Sequence, residues 1–489
     1  MIDKYRKEIN EIDNQLMDLI NQRMAVSKEI GRYKLENNLS IESKNREKDV
    51  LVKALNFPYA SEIHQVYQEI LTQSKKLQKY DYFLVGKTLK HSFSPLIYQE
   101  LGLNSYNLLP IDDFSKIKGF NFKGINITNP YKEDAYRLCN QLSDDAQATK
   151  VVNTIIKIGD FYRGFNTDYD GFAALIKYER IDLQDKKVII IGNGASSRTV
   201  SKVLTDFGAK EIIYLVRTIR DANEYLISDY HKFQDYQIII NTTPYGTYPS
   251  DDFAPLFPLK DFISLEVVID LIYNPEITPL IREAKKYHHQ GVNGLYMLIS
   301  QAAKALSLYQ DSDKTFLIDS VYHKLKRNLR NVVLIGMPFA GKTTLGKQLS
   351  LEMNRSLVDV DNELAKAELD LATVLKTKDL AYYRQQEAFY TKKFAKERGI
   401  IIATGGGVVL NDEAMDALKM NGIIVFLDIP LNKLRTRIND TRPLVKSEDD
   451  LKYLYDERIS LYRLYADVII NVEEKIENVM EKINECLSN

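Results

Sequence analysis

Between residues 3 and 37 the chain has no proline and one glycine, and Ile9, Ile12, Leu16, Leu19, Val26, Ile30 and Tyr33 recur at steps of three and four. That period predicts one long helix. Two shorter helical patterns follow, up to about Gln78. Near Tyr82 the texture changes, because short apolar runs such as YFLVG, KGINIT and VVNTIIKI alternate with helical stretches, as in parallel α/β folds. A further α/β stretch opens at KKVIIIGNG and runs through EIIYLVRT, QIIINTTP and VVIDLIY to a helical segment from Gly294 to about Leu308. The basic stretch KLKRNLRN at 324–331 marks the next junction, and α/β texture resumes at VVLIG and continues to the end.

The length of 489 residues implies several cores. A 45% hydrophobic and 27% charged composition is ordinary for globular chains, and a formal net charge of −1 with interspersed signs argues against a nucleic-acid or membrane surface as partner. Cys139 and Cys486 are too few and too far apart for a disulfide framework or a thiolate metal site. MIDKYRKEIN has no apolar signal core, and no apolar run nears the roughly 20 residues of a membrane helix. The expected compartment is the cytoplasm.

In the long helix, Arg23 fills the slot between Leu19 and Val26 in the apolar seam. A buried guanidinium needs an anionic partner. Lys34 lies about three turns on and shares its face, whereas Arg6 points elsewhere, as a second site or a subunit contact would require. On spacing alone, a coiled-coil helix with a polar register-setting residue fits equally well. Arg6, Arg23, Lys34, the pair Arg46 and Glu47, and Ser74 with Gln78 resemble the active-site pattern of the all-helical chorismate mutases, over residues 1–79. The resemblance implies a three-helix fold and an intertwined homodimer that rearranges chorismate to prephenate. Cations would grip its carboxylates, with Lys34 and Gln78 at the ether oxygen. Ser43 stands where that family usually has Asp, so a regulatory or dimerising ligand sensor remains the alternative.

The stretch KKVIIIGNGASSRTVSKVL joins a strand to a helix through Gly192, Gly194 and Ala195, an arrangement that sets a diphosphate on helix amides. At the end of the next strand Arg217, with Thr218, replaces the acidic residue of an NAD site and favours the 2′-phosphate of NADP. Upstream, HSFSP, NITNPYKE, VVNT and NTD set short polar side chains beside strand-like runs. Together these resemble shikimate dehydrogenase, over about residues 81–325. The resemblance implies that Ser92 and Ser94 hold the substrate carboxylate and that Thr128, Asn153 and Gln301 hold hydroxyls. It makes Lys132 and Asp168 the catalytic pair reducing 3-dehydroshikimate with NADPH. It also places Asn241, Thr242, Gly246 and Gly294 at the cofactor, and Tyr273 near nicotinamide and substrate.

The stretch VVLIGMPFAGKTT contains Gly336-x-x-x-x-Gly341-Lys342-Thr343 between a strand and a helix, the context of a phosphate-cradling loop. Lys342 would reach the β- and γ-phosphates of ATP, and Thr343 would coordinate Mg2+ with Thr344 beside it. In LVDVD, Asp359 and Asp361 sit two apart at the end of an apparent strand and are expected to point the same way, one to the metal and one to a substrate hydroxyl. With YRQQE, TRPL, ERISLYRLYAD and IIATGGG, the segment resembles shikimate kinase over 331–489. The resemblance gives shikimate to Asp361 as base, Arg384, Arg458 and Gly405, Gly406 and Gly407. It gives the lid to Arg442 and adenine stacking to Arg435. The expected architecture is thus an all-α domain at 1–79, an α/β substrate domain plus a Rossmann NADP part (about 183–290) within 80–326, and an α/β P-loop domain at 327–489. The dehydrogenase product, shikimate, is the kinase substrate.

Overall fold

The computed structural model describes residues 1–37, 39, 44–90, 92–248, 254–369, 371–438, 444–471 and 474–488. It divides into two compact units: Met1–Asp185 with Asn193–Ala209 and Tyr296–Val321, and Lys186–Gly192 with Lys210–Leu295 and Tyr322–Asn489. Among the described residues no helix is long and apolar enough to cross a membrane.

The first unit opens with helices Ile2–Glu36, Lys44–Ala54 and Ala60–Gln78. The long helix forms as its period requires, but the apolar row does not become the buried seam. Ile9, Ile12, Leu16, Leu19 and Val26 are between 48% and 62% exposed, while the buried positions are Ser27, Gly31 and, across from them, Ser74. Small residues let the first and third helices approach closely. A Cβ on Gly31 would stand 2.5 Å from Gln78 Cα, so only glycine fits there.

The same unit holds a six-stranded sheet of β1 (Tyr82–Gly86), β2 (Tyr106–Pro110), β3 (Gly124–Ile127), β4 (Gln141–Leu142), β5 (Thr154–Ile158) and β6 (Phe161–Phe165), in the order β2-β1-β3-β5-β6-β4. It is mixed rather than wholly parallel: β5 runs antiparallel to β3 and pairs with β6 in a hairpin. The hairpin follows from the two-residue turn Gly159-Asp160, where Gly159 takes φ +60°. Beneath the sheet, Asn126 Oδ1 accepts from the hydroxyls of Tyr98 (2.6 Å), Tyr106 (2.7 Å) and Tyr309 (3.0 Å), and its Nδ2 donates to Thr154. A polar core residue is thereby satisfied from four directions.

The second unit holds two parallel sheets. One contains β7 (Lys187–Ile191), β8 (Glu211–Val216), β9 (Glu224–Leu226), β10 (Ile238–Asn241), β11 (Val267–Asp270) and β12 (Gln290–Asn293), in the order β12-β11-β10-β7-β8-β9. The other contains β13 (Asn331–Ile335), β14 (Leu357–Asp359), β15 (Ile401–Ala403), β16 (Gly422–Asp428) and β17 (Val468–Asn471), in the order β14-β15-β13-β16-β17. Their central strands are apolar without alternation, with Val188–Ile191 and Val332–Ile335 fully buried, because helices cover both faces. One local expectation is corrected. Asp361 is not on the strand with Asp359, since β14 stops at Asp359, whose carboxylate caps the helix Val360–Lys366 by accepting from the Asn362 amide. An Asp at a strand end is a good N-cap, and helix periodicity then replaces the alternation of two.

Gly31→Ala is expected to destabilise the helical segment by about 1–3 kcal/mol through overpacking against Gln78. Gly119→Ala, whose Cβ meets nothing within 4 Å, should leave stability nearly unchanged. Hydrogen exchange of helices Ile2–Glu36 and Ala60–Gln78 in the two variants reads the difference.

Candidate active sites

The helical segment encloses a cavity of about 520 Å³ lined by Arg23, Lys34, Arg46, Lys53 and Lys75, with Glu47 as the carboxylate among them. Arg23 donates to the Ser74 hydroxyl, Lys34 Nζ to Gln78 Oε1 at 3.0 Å, and Lys75 pairs with Glu47 at 2.7 Å. The structure therefore brings Arg23, Lys34, Arg46, Glu47 and Gln78 to one cavity. Arg6 lies apart, exposed and paired with Asp3 at 3.5 Å. Five cations against one carboxylate make a site for a small polyanion. Lys53 and Lys75 were missed by sequence reasoning, since a lysine in the last turn of a helix is by default a solvated charge. Ser43 lies outside the described residues.

In the first sheet, parallel β1 and β3 end at the same edge, and the Thr128 amide donates to the Val85 carbonyl there. The segments leaving these ends carry Ser92 and Ser94, whose hydroxyls lie 3.1 Å apart, and Thr128 with Lys132. Lys132 opens the helix Lys132–Leu138, and Asp168 lies in the first turn of Thr167–Tyr178. Their side chains meet at 2.7 Å and are only 10% and 13% exposed. Next to them Asn153 Oδ1 accepts from the Thr167 amide (2.8 Å) and hydroxyl (3.2 Å), and Thr167 also bonds Gln301 at 3.4 Å. Thr167 is a missed hub, though it stands in the NTD run already singled out. A lysine ammonium held by a carboxylate among amides and hydroxyls can donate a proton or a strong hydrogen bond to a carbonyl oxygen.

In the second unit Gly192 follows β7 with φ +99°, and a Cβ there would meet Thr243 Cγ2 at 2.8 Å and Thr242 Oγ1 at 3.0 Å. The turn leads to Gly194, the N-cap of helix Ala195–Asp206. Arg217 and Thr218, both exposed, follow directly on β8, the neighbour of β7. Asn241, at the end of β10, holds the following turn by accepting from the Thr243 amide (3.0 Å) and hydroxyl (2.7 Å), while Thr242 Oγ1 donates to the Ile191 carbonyl at 2.7 Å. Gly246 takes φ +91°, and Gly294 packs on the Leu271 backbone, where no side chain could fit. Tyr273 leaves the end of β11 half-buried. The tight glycine turn and a guanidinium at the next strand fit a dinucleotide that carries a further phosphate.

The loop after β13 has Gly336 at φ +147° and Gly341 at φ +89°, and Lys342, at the helix start, donates to the carbonyls of Gly336 (2.8 Å) and Met337 (3.0 Å). Thr343 Oγ1 donates to Asp359 Oδ2 at 2.5 Å, and Thr344 is exposed one step on. A hydroxyl and one carboxylate beside a phosphate loop fit Mg2+, which binds few protein oxygens and keeps phosphate and water ligands. Among the described residues there is no cluster of three or more metal-type side chains.

Beside the loop, Asp361, Arg384, Gly405, Gly406, Gly407 and Arg458 line one cavity of about 200 Å³. Arg384 pairs with Glu387 at 2.5 Å, and Arg458 Nη1 donates to the Gly406 carbonyl at 3.0 Å. A Cβ on Gly407 would collide with the Arg384 guanidinium and one on Gly405 with Glu387, so the glycine run lets these charges reach the cavity. Burial pushes the Glu387 carboxyl above its ordinary range, opposed by Arg384. Glu387 was missed, although its place three residues after Arg384 was visible in YRQQE. Arg435 closes a short helix and pairs with Glu448 at 3.3 Å, and Arg442 lies outside the described residues.

A doubly wound parallel sheet with a glycine turn, and a second one with a phosphate loop beside a charged cavity, define a multidomain α/β enzyme preceded by an anion-binding helical segment. Family profiles match chorismate mutase type II over residues 5–79, the shikimate dehydrogenase substrate binding domain over 84–155 and shikimate kinase over 338–488. The shikimate dehydrogenase (NADP(+)) of Caldicellulosiruptor saccharolyticus is 34% identical over 260 residues, covering 47% of this chain and 91% of that protein. That of Clostridium beijerinckii is 33% identical over 250 residues, covering 47% and 92%. The crystal structure of a chorismate mutase/shikimate 5-dehydrogenase fusion protein from Clostridium acetobutylicum is similar at 28% identity and a TM-score of 0.47, covering 50% of this chain and 96% of that one. The chain belongs to the shikimate dehydrogenase family. With chorismate mutase and shikimate kinase domains on either side, it is a multifunctional shikimate-pathway enzyme.

Asp270, at the end of β11, joins these loops by accepting from Asn241 (3.0 Å), Thr278 (2.7 Å) and the Ile272 amide (3.1 Å). Burial pushes its carboxyl up to about 7, against those three donors. The folded value lies above the unfolded one of about 3.9, so its contribution to stability is present at low pH and lost as pH rises toward 7. Asp270→Asn should therefore lose less stability than the parent between about pH 5 and 7 in denaturant titrations. A constant difference between the two proteins across that range refutes the assignment.

Proposed function

We propose that the chain catalyses three reactions, with boundaries at residues 1–79, 80–326 and 327–489. The middle segment reduces 3-dehydroshikimate to shikimate, for which NADPH supplies the hydride. Lys132, fixed by Asp168, donates to the carbonyl oxygen, Ser92 and Ser94 take the carboxylate, and Thr128, Asn153 and Gln301 take the hydroxyls. The C-terminal segment phosphorylates shikimate to shikimate 3-phosphate, for which ATP with Mg2+ supplies the phosphoryl group. Asp361 accepts the proton of the 3-hydroxyl, while Arg384, Arg458 and Gly405–Gly407 hold the acid. Lys342, Thr343 and Asp359 form the phosphate and metal side. The helical segment rearranges chorismate to prephenate, with Arg23 and Arg46 on the carboxylates and Lys34 with Gln78 at the ether oxygen. The observation that carries the proposal is the 2.7 Å contact of the nearly buried Lys132 and Asp168.

The exposed apolar row of the first helix supports a homodimer, since such a row is normally covered by another chain, and Arg6 would then reach the partner's cavity. The two half-buried thiols and the absence of thiolate pairing suit a reducing cytoplasm.

Supplied with 3-dehydroshikimate, NADPH, ATP and Mg2+, the chain should form shikimate 3-phosphate. Lys132→Met should lower NADPH oxidation about 100- to 10,000-fold while ATP-dependent phosphorylation of added shikimate persists. Arg458→Ala should do the reverse. Arg23→Ala should abolish prephenate formation and leave both other activities intact. A parent that binds chorismate without converting it assigns the helical segment to ligand sensing instead, and an Arg23→Ala protein that still makes prephenate removes Arg23 from the catalytic role.

A further inference from the structure

The loop that follows β11 is anchored by residues beyond 329. In the second sheet the strand order reverses between β7 and β10, and β11 lies beside β10. Ligands of open parallel sheets sit beyond the carboxyl ends of the strands at such a reversal. Residues 271–278 leave the carboxyl end of β11 and so border that edge, and Asp270 at their base holds Asn241 at the end of the neighbouring strand β10.

Three side chains of the kinase segment grip this loop. Arg330 makes a two-pronged bond to Glu276, at 2.7 and 2.6 Å, and its Nη1 donates to the carbonyls of Cys486 (3.2 Å) and Leu487 (3.1 Å). Arg398 donates through Nε to Asn274 Oδ1 at 3.0 Å. The Glu276 amide donates to Asn421 Oδ1 at 2.9 Å, and the Ile277 amide to the Met420 carbonyl at 2.9 Å. Met420 is in the last turn of the helix Asp412–Asn421, whose final carbonyls lack partners in their own helix, so the loop supplies one. The Arg330–Glu276 pair is 15% and 16% exposed, and a planar fork in such surroundings fixes orientation as well as distance.

We infer that Arg330, Arg398 and Asn421 are positioning residues for the dehydrogenase: the kinase segment sets the conformation of the loop 271–278 that borders the cofactor edge. The inference rests on the proposed NADPH-dependent activity. It also gives the basic junction at 324–331 a task beyond linking, because its Arg330 is the centre of the clamp.

The test uses the full chain and follows NADP-dependent oxidation of shikimate and ATP-dependent phosphorylation in the same preparations. Arg330→Lys and Arg398→Lys keep the charge but lose the fork. Each should lower dehydrogenase kcat about tenfold, with KM for shikimate and kinase turnover changed less than about twofold, as expected of a misplaced rather than an absent group. Exchanging the partners, Glu276→Arg with Arg330→Glu, should restore most of the kcat lost on replacing Arg330. The inference is overturned if both lysine variants keep dehydrogenase kcat within about twofold, or if dehydrogenase and kinase decline together as a general loss of folding would produce. A parent chain inactive toward shikimate and NADP overturns the functional reading itself, and the inference with it.

Discussion

A charge taken out of water must find an opposite charge or several hydrogen-bond partners, and in this chain the buried ion pairs of the α/β segments meet that rule. Lys132 and Asp168 satisfy each other between the starts of two helices. The lysine sits at a helix N-terminus, where the dipole disfavours a cation, so its position depends on the carboxylate. Removing one partner of such a pair typically costs about 3–5 kcal/mol, because the other is left buried alone. Arg384 with Glu387 and Arg330 with Glu276 repeat the solution in the second unit. In each case the geometry is short and the exposure low, which separates these pairs from exposed ones such as Lys452–Asp456 that hold nothing in place.

Pairing charges at a site also demands that backbone and side chain come close, and here glycine sets the limit. Gly405 and Gly407 leave room for Glu387 and Arg384, and Gly192 leaves room for Thr242 and Thr243. In both the second and third sheets the glycine turns follow strands whose runs Val188–Ile191 and Val332–Ile335 are apolar and fully buried, so a rigid edge presents the loop. The strands contribute at their carboxyl ends, where Asn241 closes β10 and Asp359 closes β14. Their carboxyl ends decide where the loops begin, and the loops decide which groups meet.

Much of this was legible in the residues. The long helix, the parallel sheets of the second unit and the phosphate loop follow from periodicity and punctuation, which are local. The cavity around Asp361, Arg384, Gly405–Gly407 and Arg458 was named in advance only because the family resemblance joined residues almost 100 positions apart, which no spacing rule does. What escaped notice depends on tertiary choice. Asp361 falls on a helix rather than on the strand, because Asp359 at the strand end caps that helix, and a carboxylate there can serve either structure. The apolar row of the first helix is exposed because small residues on the adjacent face gave a closer fit to the third helix. Glu387, Lys53 and Lys75 look in sequence like solvated charges, and only packing shows that they face a cavity.

The helical cavity follows the same electrostatic rule from the opposite side. Arg23, Lys34, Arg46, Lys53 and Lys75 surround a space in which Glu47 is the carboxylate among the described residues, and Glu47 is already engaged by Lys75. Like charges so placed repel one another. A small dicarboxylate entering this space removes that repulsion and replaces water with fixed donors, so its binding energy includes relief of strain already present in the protein. The role proposed for Lys34 and Gln78 rests on the same excess of positive charge, which favours a state in which negative charge collects on an ether oxygen as a bond breaks. An arrangement that binds a dianion is thereby also one that stabilises charge separation within it, and needs no nucleophile, metal or cofactor to do so.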